Sequence, residues 1–295
     1  MSVGEAASGT RRKPRIALMG EFSAGKSTLS NLLMGQRPLP EKVTATRLSP
    51  VWITYGTRAP YRVDVDGTTE PVDIENLEGI PVEQTRNIRL FLESDILEVC
   101  DLIDFPGISD PNMSSAVWER MLPEVDAVIW CTHATQAWRQ SEAAVWNDMP
   151  EAVRENSILL ITRFDKLTNE KDRSRVIKRV SRETKGQFGG TFPVSLLQAI
   201  QAGDDYDRWD SSGAGPFTAH LIDVIEKLTA LTARTELPLY NVDSLADVPQ
   251  PVAAAVSPRR VQRAPDGARP SRPRTRAETP EDLPTSIADP IVPSS

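Results

Sequence analysis

Residues 15–27 read Arg15-Ile16-Ala17-Leu18-Met19-Gly20-Glu21-Phe22-Ser23-Ala24-Gly25-Lys26-Ser27, an apolar run that breaks into a glycine loop. The run predicts a buried strand. Leu29, Leu32 and Leu33 then recur at helical spacing until Gly35, a residue suited to a helix C-cap. The loop itself, Gly20 to Ser27, fits the pattern G-x-x-x-x-G-K-[ST] and lies between strand and helix, where that pattern has physical meaning. Its glycines let backbone N–H groups wrap a phosphate, and the following helix N-terminus favours negative charge. Lys26 is placed to reach β- and γ-phosphates, and Ser27 to ligate magnesium.

Two further strand ends carry compatible chemistry. The run Ile96–Ile103, read as one strand, ends in Asp104-Phe105-Pro106-Gly107. Asp104 can support magnesium through water, and the Gly107 N–H can meet a γ-phosphate. Ile158–Ile161 ends in Thr162-Arg163-Phe164-Asp165. A carboxylate at Asp165 can accept both N1–H and N2–H of guanine, a pattern that adenine does not offer. Val194-Ser195 closes a last short strand, where the Ser195 backbone N–H is expected to face the guanine oxygen.

Between these ends, strands are expected at Val51–Tyr55, Tyr61–Asp66, Asp126–Cys131, Ser157–Thr162 and Thr191–Val194, with a hairpin turn at Asp66-Gly67. Helices are expected at Pro81–Glu93, Ser115–Leu122, Ser141–Arg154, Asn169–Thr184 and Pro216–Ala233. Alternating strands and helices give an α/β fold, a mostly parallel sheet with helices on both faces. Ligands in such sheets bind at the carboxyl ends of the strands.

The chain has 295 residues, 39% of them hydrophobic, enough for a full α/β core. A formal charge of −7 argues against a nucleic-acid partner. Cys100 and Cys131 lie in apolar runs with no metal-ligand spacing, which suits buried thiols in a reducing, cytoplasmic compartment. No apolar stretch approaches the roughly 20 residues of a membrane span, so any membrane contact is expected to be peripheral. Residues 1–13 read as a flexible arm and residues 14–240 as one nucleotide-binding domain. Residues 241–295 read as a disordered tail rich in proline and arginine.

The loop through Ser27 and Thr28, the segment Leu39-Pro40 with Thr44 and Thr46, and the Asp104-Phe105-Pro106-Gly107 and Thr162–Asp165 motifs together resemble the GTPase domain of the dynamin superfamily, especially its bacterial members. The resemblance spans about residues 14–235. It implies a Ras-like, P-loop NTPase sheet with an inserted hairpin and helix, magnesium-dependent hydrolysis of GTP to GDP, and nucleotide-controlled homodimerisation or pairing with a larger dynamin-like partner. By position, the resemblance makes Thr46 the switch threonine that completes magnesium coordination, with Thr44 the alternative two residues away. It also matches Ser23 to the serine that helps hold a monovalent cation in place of an arginine finger.

Three positions depart from the pattern. Ile108 follows the Asp104 motif where Ras-type enzymes place a water-orienting glutamine. Phe22 stands at the position of the dynamin catalytic glutamine, and Arg163 replaces the usual lysine. Slow intrinsic turnover is the expectation, in a GTPase domain without the helical stalk of membrane-remodelling relatives. Two competing readings remain at this stage, a nucleotide-gated interaction module with little hydrolysis and a P-loop ATPase.

Overall fold

A computed structural model describes residues 12–35, 49–74, 77, 79–109 and 114–235, with Trp118 and residues 233–235 described in backbone only. Thr44, Thr46 and the segment 241–295 lie outside the described residues.

The strands are β1 (Arg15–Gly20), β2 (Val51–Tyr55), β3 (Tyr61–Asp64), β4 (Thr69–Pro71), β5 (Thr85–Leu92), β6 (Asp101–Asp104), β7 (Ala127–His133), β8 (Ile158–Thr162) and β9 (Gly190–Pro193). They form one sheet in the order β4-β3-β5-β2-β6-β1-β7-β8-β9. From β6 to β9 all neighbours are parallel. β2 runs against β6, and the β3–β4 hairpin extends that edge. The chain leaves β1 and later returns on both of its sides, at β6 and at β7. The carboxyl end of β1 is therefore a topological switch point, where a crevice opens for ligand.

Alternate residues of the central strands supply two cores. Ile16, Leu18, Ile129, Cys131, Ile158 and Leu160 face α1 (Lys26–Met34) and the long α9 (Ala214–Thr235), on which Phe217, Leu221 and Leu228 are buried. Ala17, Met19, Val128, Trp130, Leu159 and Ile161 face the other way, toward Trp146 and Val180. Burial on both faces is why these strands read as continuous apolar runs. On the second face Trp146 stacks on Phe188 at 4.1 Å and meets Trp130 edge-on at 5.4 Å. Trp138 also meets Trp130 and Phe188 edge-on, so the tryptophans on and after β7 are core residues.

Several sequence expectations are corrected here. The stretch Pro81–Glu93 is not a helix; it holds β5, parallel to β2 and antiparallel to β3. Val82, Ile88 and Leu92 fit helical spacing, but Ile88, Leu90 and Leu92 also alternate at period two. Two flanking strands satisfy the backbone on both sides, which decides for the strand. Ile96–Ile103 is likewise not one strand. A short helix, α2 (Asp95–Val99), buries Leu97 and precedes β6. The expected helix Ser141–Arg154 is split into α4 (Gln140–Asn147) and α5 (Glu151–Arg154) by Pro150, whose ring cannot continue a helix. The expected Ser115–Leu122 helix shortens to α3 (Ala116–Glu119), followed by a 3-10 turn at Leu122–Glu124. α6 (Glu170–Glu183) forms as expected, with the Asn169 side chain accepting from the Asp172 N–H as its cap. Beyond β9 two helices appear that the sequence reading passed over, α7 (Leu196–Ala202) and α8 (Tyr206–Ser211).

Arg12 and Lys13, the last residues of the arm, are held in place. The Arg12 guanidinium makes a two-pronged pair with Asp126 at 2.6 and 2.8 Å, and Lys13 Nζ donates to the Leu97 carbonyl at 2.7 Å.

Candidate functional site

The glycine loop joins β1 to α1 at the centre of the rim. Gly20 has φ of 142°, and a Cβ there would lie 2.2 Å from the Cys131 carbonyl oxygen. Only glycine lets β1 run this close to β7 as the loop begins. Ser23 and Gly25 follow at φ of 60° and 93°, so the chain turns through left-handed geometry twice before α1 starts. Loops of this shape before a helix N-terminus can offer backbone N–H groups to an anion; here the Ala24 N–H bonds back to the Glu21 carbonyl at 3.2 Å.

Lys26 is buried beneath the loop. Its Nζ donates to the Gly20 carbonyl at 3.1 Å and to the Glu21 carbonyl at 3.0 Å. Burial pushes the lysine below its ordinary value, while the Asp104 carboxylate pulls the other way. Asp104, paired in register with Leu18 of β1, is itself raised to about 6 by burial, with Lys26 opposing. A buried lysine and a half-buried carboxylate thus stand at neighbouring strand ends and influence each other's charge. Gly107 passes so close to the loop that a Cβ on it would stand 2.9 Å from the Phe22 nitrogen. The Phe22 N–H in turn donates to Ser109 Oγ at 3.1 Å, and the Ile108 N–H to the Gly20 carbonyl at 3.2 Å. These contacts join the Asp104–Ile108 turn to the loop's first half.

The loop's second half is tied to β8. Thr162 Oγ1 lies 2.6 Å from the Ala24 carbonyl and 3.1 Å from that of Thr132. Arg163 adopts a left-handed φ of 52°, which tips the chain into the 3-10 turn Phe164–Lys166 that carries Asp165. The structure thus brings Gly20 through Thr28, Asp104, Gly107, Thr162, Arg163 and Asp165 to one rim of one sheet.

Ser195 reaches that rim but corrects one assignment. Its N–H donates to the Ser212 carbonyl at 2.9 Å, so it is already used within the fold. The next residue, Leu196, opens α7 and packs its side chain near Gly25, with its Cδ1 3.5 Å from where a Gly25 Cβ would be. N–H groups in the first turn of a helix have no intrahelical acceptor. The Leu196 N–H, one residue on, is such a group.

A second layer of polar contacts was not legible in the sequence. The Glu21 carboxylate accepts from Arg139 Nη1 at 2.9 Å and from the Ser141 hydroxyl. Glu142, 2% exposed, accepts from Trp130 Nε1, Thr132 Oγ1 and the Arg139 N–H at 3.0, 3.0 and 2.8 Å. Burial raises Glu142, and those hydrogen bonds oppose the rise. The start of α4 is thereby fixed to β7 and holds the second residue of the loop. Phe22 projects outward, 73% exposed, and Arg163 and His133 line the same cleft of about 340 Å³. The His133 ring accepts from the Thr135 N–H at 3.2 Å, a local turn contact.

Residues 16–164 match the model of the dynamin family. Dynamin-like protein 2 of Campylobacter jejuni is 30% identical over 161 residues, which cover 52% of this chain and 26% of that protein. GTPase Era of Aquifex aeolicus is 22% identical over 280 residues, covering 92% of this chain and 70% of Era. Among solved structures, an oligomerised bacterial dynamin pair superposes with a TM-score of 0.53 at 22% identity, covering 76% of this chain and 36% of that one. The likeness to that pair is one of fold. The chain spans about a quarter of its Campylobacter relative. Half of the chain falls within the family model, with the glycine loop, Asp104 and Asp165 all beside or inside its bounds, and the chain belongs to the dynamin family.

Proposed function

We propose that this chain binds guanine nucleotide at the β1–β6–β8 rim and hydrolyses GTP to GDP and phosphate. The observation that carries the reading is Lys26, buried beneath a loop that turns twice through left-handed geometry, with Asp104 at the end of the neighbouring strand. Lys26 exchanges the Gly20 and Glu21 carbonyls for phosphate oxygens and balances the charge that develops on them. Phosphate thus gives the buried ammonium an anionic partner in place of two neutral ones.

Magnesium fits the donor set by chemistry. Asp104 offers a half-buried carboxylate at the strand end, and Ser27 a hydroxyl in the first helical turn, and these two would hold the ion. When bound, the ion neutralises charge on the β- and γ-phosphates. Thr46 is the proposed third contributor, with Thr44 as its alternative. Asp165 selects guanine, Arg163 packs its stem over the base, and the Leu196 amide meets the guanine oxygen. Ser23, in left-handed geometry beside the phosphates, is a proposed ligand for a monovalent cation.

Ile108 and Phe22 supply no water-orienting amide, so turnover by one copy is slow and a second copy or a larger dynamin-like partner raises it. Residues 14–240 act as the GTPase domain, in the cytoplasm, with 241–295 as a tail. Among the described residues no helix is long and apolar enough to cross a membrane, so membrane contact in this proposal is peripheral. Steady-state phosphate release over a range of protein concentrations tests it. Specific activity should rise with concentration and require both GTP and magnesium. Equal hydrolysis of ATP, or none of either nucleotide at any concentration, overturns it.

A further inference from the structure

The second face of the sheet carries a charge pattern that nucleotide chemistry does not use. On α6, Lys171, Arg175, Lys178 and Arg182 recur at spacings of four, three and four, and all four are exposed. That spacing puts them on one helix face, spread over about 17 Å. Together with Ser174 and Arg179 they line a cleft of about 510 Å³ to which, among the described residues, no carboxylate contributes. Two carboxylates offset part of this row through loose surface pairs, which leaves Lys171 and Lys178 the less compensated members. Asp172 accepts from Arg175 at 3.4 Å and from Asn169 at 2.6 Å, and Glu183 lies 3.8 Å from Arg182. Such a row runs against the chain's net charge of −7 and attracts an acidic partner.

This cleft continues into another. Arg175 and Arg179 also wall an adjoining groove of about 520 Å³ between α6 and residues 134–139. Its lining adds the half-buried Leu167 and Val176, with Ala137 and Trp138 almost covered behind them and Asp172 at the side. Arg179 is fixed at the junction, its Nη2 donating to the Ala137 carbonyl at 2.6 Å.

The lining decides among anionic partners. A bilayer surface can pair with a cationic row but makes no use of the half-buried Leu167 and Val176 beside it. Single-stranded nucleic acid needs aromatic faces for stacking, whereas Trp138 is 6% exposed and turned edge-on to Trp130 and Phe188. A polypeptide with carboxylates for the cationic row and slim aliphatic side chains for Leu167 and Val176 satisfies both halves. We propose that this double groove docks an acidic, aliphatic-bearing segment of a partner protein. The groove also borders the nucleotide rim, because Arg139 on its wall is the residue that holds Glu21.

The test uses the full chain and a short fluorescein-labelled peptide of repeating Glu-Glu-Leu, read by anisotropy at low and high salt. Binding should weaken as salt rises and at least ~10-fold in the Lys178→Glu/Arg182→Glu variant, with melting temperature and GDP affinity unchanged. A Glu-Glu-Ser peptide should bind more weakly than the leucine form. Should the charge reversal misfold, the Lys171→Gln/Lys178→Gln variant gives the same reading with less perturbation. Absence of binding, equal binding by the variants, or equal affinity for the serine peptide overturns the proposal. So does tighter capture of phosphatidylserine vesicles or oligothymidine that is lost in the same variants.

Discussion

The Lys26 ammonium lies 3.1 Å from the carbonyl oxygen of Gly20, six residues back along its own loop. In the proposed function the lysine has to leave this backbone contact, and phosphate competes with the carbonyl for it. Replacing Lys26 with alanine should cut GDP affinity by about 100-fold or more, since a charge-assisted contact is lost in a buried place. Isothermal titration of the folded variant measures this. An unchanged dissociation constant would remove Lys26 from the site.

Asp104 gives a pH signature. Its folded value is raised from 3.8 to about 6 by burial, so the native state holds this proton more tightly than the unfolded chain does. Unfolding therefore releases the proton, and this group's contribution to stability falls as pH climbs from 3.8 to about 6, then stays flat. The drop is about 3 kcal/mol by the usual conversion. Asp104→Asn should abolish that slope in urea titrations across the window. The same slope in both proteins would show that Asp104 is not desolvated.

The pair between Glu21 and Arg139 makes a separate prediction. Glu21→Gln and Arg139→Ala should each weaken GDP binding about 3- to 10-fold while shifting the melting temperature little. Together they should be less than additive, because they remove one contact. Arg139→Lys should recover part of the loss. Full additivity in the cycle would mean that the pair does not position the loop.

Gly20→Ala should be among the most damaging single changes in the chain. A methyl group 2.2 Å from the Cys131 carbonyl forces β1 and β7 apart, at a φ of 142° that alanine disfavours. A loss of more than about 3 kcal/mol is expected by chemical denaturation, or no soluble protein at all.

What was legible in the sequence follows from what is local. The strand–loop–helix of residues 15–34 needs only its own spacing and glycines, so it was read to within a residue. The positions of Asp104, at the end of β6, and Asp165, in the turn after β8, follow from the apolar runs before them, because strand ends in such sheets converge. β5 was misread because its identity depends on β2 and β3, which lie apart from it in the chain and complete its hydrogen bonds. The Ser195 amide was misassigned because its acceptor, Ser212, sits in the turn after α8. The Glu21–Arg139 pair joins residues 118 apart, and no spacing rule announces such a contact. Local pattern carried the site's chemistry, and long-range pairing decided its details.

The central claim is that Asp165 reads guanine beside the phosphate loop. Its most direct test is the ratio of GDP to xanthosine diphosphate affinity, measured by titration in the native chain and in Asp165→Asn. Xanthine carries an oxygen where guanine carries its exocyclic amine, so an amide at this position should donate where the carboxylate accepts. The native chain should prefer GDP by about 100-fold or more, and the variant should prefer xanthosine diphosphate. An unchanged ratio, or ADP bound as tightly as GDP by the native chain, would contradict the account.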